Sequence, residues 1–268
     1  MKSASSAGKF VHHLIHRAST QSEWCSPDTQ ILLEKHKSNK KSLALLKEYG
    51  WSDGSRSVHY QFNKHGFRDD EFDGRACAMA VGCSHTEGAA LPRSDNWVGQ
   101  LNRNFQRRQN PCYVWNLGIN GSGSATCLRV IQHWASILRP RFIVCVLPYE
   151  PRIEVQMIDG SFESVLPANI EFCKSIHKND VFYKHWITQE LNWQRNITRD
   201  IMAMRWRCHE LGIPILVYHS SILETLYNKK YGAHAVVPRA RDLMHYGPEC
   251  HRLFAKRVLK DVTALGLT

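Results

Sequence analysis

Three short stretches of this chain bring together residue types that can do chemistry. The first is Gly82-Cys83-Ser84-His85-Thr86-Glu87-Gly88, directly after the apolar run ACAMAV at 76–81. A serine among small and polar residues at a strand end can hold its hydroxyl clear of a sheet, and Gly82 and Gly88 permit tight backbone paths. The stretch is not the GxSxG elbow, because Thr86 stands two positions after Ser84. The second is Asn116-Leu117-Gly118-Ile119-Asn120-Gly121-Ser122-Gly123. A glycine-rich loop leading into a helix offers backbone N–H groups to an anion, either a phosphate or a transient oxyanion. It lacks both the GxGxxG spacing and a Walker lysine, which argues against a nucleotide. The third is Arg241-Asp242-Leu243-Met244-His245-Tyr246-Gly247-Pro248. An aspartate three residues before a histidine can hydrogen-bond its imidazole, fix the tautomer and leave the other nitrogen free as a base. Taken singly, each stretch also reads as ordinary structure: a turn, a loop, a surface aspartate near a histidine. Together they supply a nucleophile, a base oriented by a carboxylate and an oxyanion donor, the set that acyl transfer needs.

The elements that must position these residues are legible in the apolar pattern. The continuous apolar run at 76–81 reads as a strand buried on both faces, the mainly apolar runs at 112–119, 141–148 and 213–218 as the next three strands, and AHAVV at 233–237 as a weaker fifth. Trp97, Leu101 and Phe105 mark one helix face. Ala125, Leu128, Ile131, Ala135 and Leu138 mark a second, ending before Pro140. A long helix is expected from about Asp180 to Leu211, with Phe182, Trp186, Trp193, Ile197, Ile201, Met204 and Cys208 on one side and Gly212 as its cap. A last helix starts at Pro248 and carries Cys250, Leu253, Phe254 and Val258. Strands alternating with helices predict a mainly parallel sheet covered on both faces. In such a sheet ligands bind beyond the carboxyl ends of the strands, where all this chemistry is placed.

Residues 1–60 read as a polar, basic, partly helical extension, with short helices near 28–36 and 41–49 and an alternating SVHYQF strand before the main domain at 61–268. His12, His13 and His16 read as part of a basic arm, or as a pair of metal ligands on one helical face. The chain has 268 residues and a formal charge of +11, which favours contact with a polyanion. With 43% hydrophobic and 22% charged residues it is neither disordered nor fibrous. Nine cysteines are scattered without a CxxC pair, which suits a reducing compartment and offers no zinc site. Neither a secretory signal nor a membrane span is evident, so a cytoplasmic or virion-associated setting is expected.

The three stretches resemble the conserved blocks of the SGNH, or GDSL-like, hydrolase superfamily. GCSHTEG is similar to its first block, with Cys83 where aspartate usually stands. NLGING is similar to the second, and ARDLMHYGPECH to the last. NKHGFRDDEF at 63–72 is similar to a stretch found before the first strand in some members. The resemblance covers about residues 60–265. It implies a three-layer α/β/α sandwich with a five-stranded, mainly parallel sheet, related to the flavodoxin-like arrangement. It implies a serine esterase acting on a small acyl ester, such as an O-acetyl group on carbohydrate, with no metal or organic cofactor. Ser84 would be the nucleophile, His245 the base and Asp242 its orienting carboxylate. Gly121, beside Asn120, would donate to the oxyanion with the Ser84 N–H.

One departure is plain. The third block normally supplies an asparagine, and here the third strand ends in LPYEPRIEV. Tyr149 or Arg152 can donate in its place; alternatively, Arg152 pairs with Glu150 or Glu154. That loss keeps two other readings open: an O-acyltransferase acting on a glycan, and a non-catalytic binding or structural protein that inherited the fold. Around the site, His85 reads as a substrate contact or a solvated side chain. Trp186 and Trp193 read as core or as a sugar platform. The segment 150–178, with Phe162 and Phe172, reads as a substrate wall or a cover for the sheet edge.

Overall fold

The computed structural model describes residues 17–53, 56–148, 152–156, 162–165 and 189–267. The histidines at 12, 13 and 16, Tyr149 and Glu150, Phe172, Trp186 and the expected helical residues 180–188 lie outside them. So does the Phe162 side chain.

The elements are β1 (Gln21–Ser22), α1 (Gln30–Ser38), α2 (Lys40–Glu48), β2 (Tyr60–Gln61), β3 (Cys77–Gly82), α3 (Ser84–Glu87), α4 (Trp97–Phe105), β4 (Tyr113–Gly118), α5 (Ser124–Leu138), β5 (Ile143–Leu147), β6 (Ile153–Gln156), β7 (Phe162–Val165), α6 (Glu190–Glu210), β8 (Ile215–His219), α7 (Ile222–Tyr231) and α8 (Pro248–Ala264).

β3, β4, β5 and β8 form one parallel sheet in the order β4-β3-β5-β8. The apolar runs are continuous because both faces of this sheet are buried. Alternation sorts the side chains. Met79, Val81, Trp115, Leu117, Ile143 and Cys145 face one way, against Cys127, Val130, Ile131 and Trp134 of α5 and Met204 and Cys208 of α6. Ala78, Ala80, Val114, Val144 and Val146 face the other way, against α4 and against Leu223, Cys250, Phe254 and Val258 of α7 and α8. This is a three-layer α/β/α sandwich.

The expected fifth strand does not form. Residues 233–237 run as turn and loop, and among the described residues the main sheet has four strands. Val236 is 63% exposed, so the run buries too little to hold it on an edge. Pro238 follows, and it restrains the residue before it and brings no N–H to a ladder. The chain instead makes one antiparallel bridge, Arg239 with Tyr246.

The N-terminal segment has its own reasons to fold. Thr29 caps α1 by accepting the Leu32 N–H, and Asn39 caps α2 by accepting those of Lys41 and Ser42. These caps set both helices within two residues of the expected bounds. Val58, Tyr60 and Phe62 alternate inward, as the SVHYQF pattern requires. They join Leu46 and Trp51 in a cluster with Ala90, Leu91 and Ala240. The segment therefore shares a core with loops of the main domain. The 63–72 stretch is equally embedded. Buried Arg68 donates to the carbonyls of His59 and Leu91, while Asp69 accepts the Asn116 N–H at 2.6 Å.

Candidate active site

β3 delivers Ser84. The strand ends at Gly82, Cys83 is the extended N-cap, and Ser84 is the first residue of the one-turn helix α3. α3 crosses close over the end of β4. A Cβ on Gly118 would stand 2.3 Å from the Glu87 nitrogen, so no other residue allows this approach. Glu87 is buried and accepts from Arg17 at 2.8 Å and from the Asn120 N–H at 2.9 Å. It thereby ties α3 both to the N-terminal segment and to the loop after β4.

The loop before α8 delivers Asp242 and His245. Asp242 is buried. Its Oδ1 accepts the N–H groups of Met244 at 3.0 Å and His245 at 3.1 Å, and its Oδ2 faces His245 Nδ1 at 2.6 Å. This closed turn passes through Leu243 at φ +57°, a left-handed position that the surrounding contacts hold in place. Burial pushes the Asp242 carboxyl up, but the bonds from His245 and the backbone outweigh it and hold the group below its usual range. A carboxylate accepts only, so Nδ1 carries the proton and Nε2 is left free.

The N-terminal segment braces the same loop. Arg241 lies over the Trp24 ring and donates to Asp28 at 2.6 and 3.1 Å, both side chains being buried. His36 Nε2 lies 3.1 Å from the Asp242 carbonyl, and Trp51 donates to the Arg239 carbonyl at 2.9 Å. Nothing in the sequence pattern of residues 1–60 announced this role.

Ser84 and His245 line one cleft of about 190 Å³, together with Cys83, His85, Pro148, Arg152, Ser220, Arg239, Met244 and Tyr246. Cys83, Ser84, Pro148, Arg152 and Ser220 all follow carboxyl ends of sheet strands, as the strand-end rule expects. A larger cavity of about 670 Å³ lies at the opposite end of the sheet, by Phe72, Cys77, Trp115 and Arg141, and brings together no nucleophile and base.

The remaining expected residues divide. Arg152 reaches the cleft. It does not pair with Glu154, whose carboxylate is taken by Arg129 at 2.6 Å and Thr126 at 2.5 Å. Gly121 sits at φ +81° in the turn after β4 and is not among the residues lining the cleft. Ser122, next to it, donates to the Gly82 carbonyl at 3.0 Å, which pins the turn beside the end of β3. The Asn120 side chain turns away and donates to the Ser26 carbonyl.

His85 is half-buried, stacked 4.9 Å from Tyr246 and edge-on to His245 at 5.1 Å. Burial, followed by His245 and His251, pushes its proton affinity well below that of free imidazole, so it is neutral. Sequence reasoning missed Arg239, Tyr246 and His251. The first two flank the Asp-His stretch, and a search for pairing across that turn would have found them.

His251 is buried and accepts the Trp97 N–H at 3.2 Å, and burial pushes its pKa down to about 3. In the unfolded chain an imidazole titrates near ~6.5. The unfolded state therefore takes up this proton first as pH falls. Stability is complete above that value and is lost progressively toward pH 3. Urea unfolding at pH 7 and pH 5 should show a drop in wild type that is smaller in His251→Gln.

No protein-family model matches the chain, and no curated protein matches it. Solved structures do match. An alpha/beta hydrolase enzyme from the metagenome of Lake Arreo, Spain, is 14% identical, with 72% of this chain and 98% of that one covered and a TM-score of 0.37. A member of the lipolytic protein G-D-S-L family from Veillonella parvula is 14% identical, covering 70% and 98% at a TM-score of 0.36. The lipase/acylhydrolase from Enterococcus faecalis is 10% identical, covering 70% and 96% at a TM-score of 0.38. Likeness at this level assigns no role to any residue.

Proposed function

We propose that this chain is a serine ester hydrolase of the SGNH kind, acting on a small acyl ester. The observation that carries the reading is the Asp242–His245 contact of 2.6 Å, in the same cleft as Ser84. His245 Nε2 takes the Ser84 proton as the hydroxyl oxygen attacks the ester carbonyl. Asp242 holds the imidazole and stabilises the imidazolium. The oxyanion is met by the Ser84 N–H. Arg152, which lines the cleft where Gly121 does not, supplies the second donor, in the role the missing asparagine would fill. The imidazolium then protonates the departing alcohol, and water, deprotonated by His245, releases the acyl group. The acyl group is a small one, such as acetyl on an acetylated carbohydrate, as the resemblance to SGNH hydrolases implies.

An alkyl fluorophosphonate tests the nucleophile directly. One equivalent should attach, and peptide mass spectrometry should place it on the Ser84 peptide. Protein denatured beforehand should remain unlabelled. Failure of the folded chain to react, or labelling elsewhere alone, would overturn the reading and favour a non-catalytic protein.

A further inference from the structure

The cleft has an electrostatic character that ester hydrolysis alone does not require. Two guanidinium groups line it and, among the described residues, no carboxylate does. Arg152 stands on one side, its carbonyl packed where Gly123 leaves room: a Cβ there would be 2.7 Å away. Its Nη1 reaches only the Ser122 carbonyl, at 3.5 Å, and its Nε is buried without a partner. Arg239 stands on the other side, its guanidinium 4.9 Å above the Tyr246 ring. Its backbone is fixed by Trp51 and by the bridge to Tyr246, and its Nη1 has only the Met244 carbonyl at 3.4 Å. Neither arginine is paired with a carboxylate among the described residues. Among the described residues, the acids that meet the lining side chains His245 and Tyr246 are engaged by them: Asp242 faces His245, and Glu224 accepts the Tyr246 hydroxyl at 2.8 Å.

Unpaired guanidinium groups held on a fixed backbone are donors arranged for an anion. Arg152 has a use in the reaction proposed above, since it faces the developing oxyanion. Arg239 has none. It is the residue left over.

We propose that the cleft selects esters bearing a carboxylate, and that Arg239 is the residue that binds it. This rests on the esterase reading for turnover, but the binding half stands apart from it. The recognised chemistry is an O-acyl ester with a carboxylate in either its acyl or its alcohol half, as in an acylated sugar acid. Tyr246 holds the guanidinium plane from below, leaving its N–H edge to take the carboxylate side-on.

The test compares kcat/KM for matched pairs. Mono-4-nitrophenyl succinate against 4-nitrophenyl butyrate probes the acyl half, and 4-carboxyphenyl acetate against phenyl acetate probes the alcohol half. In wild type at least one anionic ester should be preferred about tenfold or more, the scale of a charge-assisted hydrogen bond. The preference should vanish in Arg239→Gln and shrink with added salt. A second readout needs no turnover. In Ser84→Ala, imidazole resonances of His85 and His245 should shift saturably with monomethyl succinate and not with methyl butyrate. Loss of that shift in the Ser84→Ala, Arg239→Gln double variant would place the anion at Arg239. Binding without turnover in wild type would overturn the esterase reading and leave the anion site standing. Turnover of neutral esters, with neither anionic preference nor a succinate-dependent shift, would overturn the anion site alone.

Discussion

Ser84→Ala should reduce hydrolysis of p-nitrophenyl acetate by about 10⁴-fold or more, with circular dichroism and thermal unfolding unchanged. The substitution removes one oxygen from a side chain that caps nothing, so the fold has little reason to respond. The chemistry has every reason to respond. Without the hydroxyl no acyl-enzyme forms, and only binding and the oxyanion donors still act on water attack, which in serine proteases leaves roughly 10³–10⁴ over the uncatalysed rate. His245→Ala should cost a similar factor, because the hydroxyl then has no base. The double variant should be no worse than either single one, since the two residues act as one unit. Asp242→Asn should spare the geometry but present the wrong tautomer, at a cost of about 10⁴. Wild-type turnover in Ser84→Ala would show that the reaction runs elsewhere.

The second large effect concerns stability. Asp28→Asn should destabilise the fold by about 3–5 kcal/mol, read from denaturant midpoints, because it strands a buried guanidinium. Arg241 and Asp28 are 9% and 2% exposed, so water cannot replace the lost partner. Asp28 also accepts the Tyr60 hydroxyl at 2.7 Å, so the loss reaches the cluster shared with Ala90 and Ala240. A paired replacement, Asp28→Leu with Arg241→Met, should recover much of the stability, since removing both charges removes the desolvation cost. Activity should follow differently. Arg241 adjoins Asp242, and its anchor sets where the carboxylate stands. Asp28→Asn should therefore lower kcat more than it raises KM under conditions where the variant is still folded. A variant as stable as wild type would show the pair to be solvated.

The sheet was readable because its chemistry is local. A strand buried on both faces needs a mainly apolar run, and ACAMAV, YVWNLG and IVCVL each are one, with Asn116 the polar exception. Helix faces at Trp97-Leu101-Phe105 and along Ile131-Ala135-Leu138 follow from the turn of a helix alone, although Val130 and Trp134, which share the buried side of the second, were not part of that reading. The AHAVV run misled because periodicity records apolar character and not pairing. Pro238 behind it and the exposure of Val236 kept it from pairing with the edge strand β8.

The candidate site was readable in part for the same reason. A serine after the first strand and an aspartate three residues before a histidine are arrangements that short-range geometry can build, and the Asp242 turn closes within four residues. Arg152 was legible only as a choice between a donor and an ion pair. Arg129, 23 positions before it in the chain, took Glu154 and left Arg152 to the cleft. Arg239's place in the cleft and the brace on the Asp242–His245 loop were not legible at all. Asp28 meets Arg241 across 213 positions, and His36 meets Asp242 across 206. The sequence by itself determined the four strands of the main sheet, the helices α4, α5 and α8, and the order in which Ser84, the glycine turn and the Asp242–His245 pair follow in the chain. Only the tertiary structure decided which charges are paired and which are left facing the cleft. Pairing depends on distances between segments far apart in the chain, and residue type carries no record of those distances.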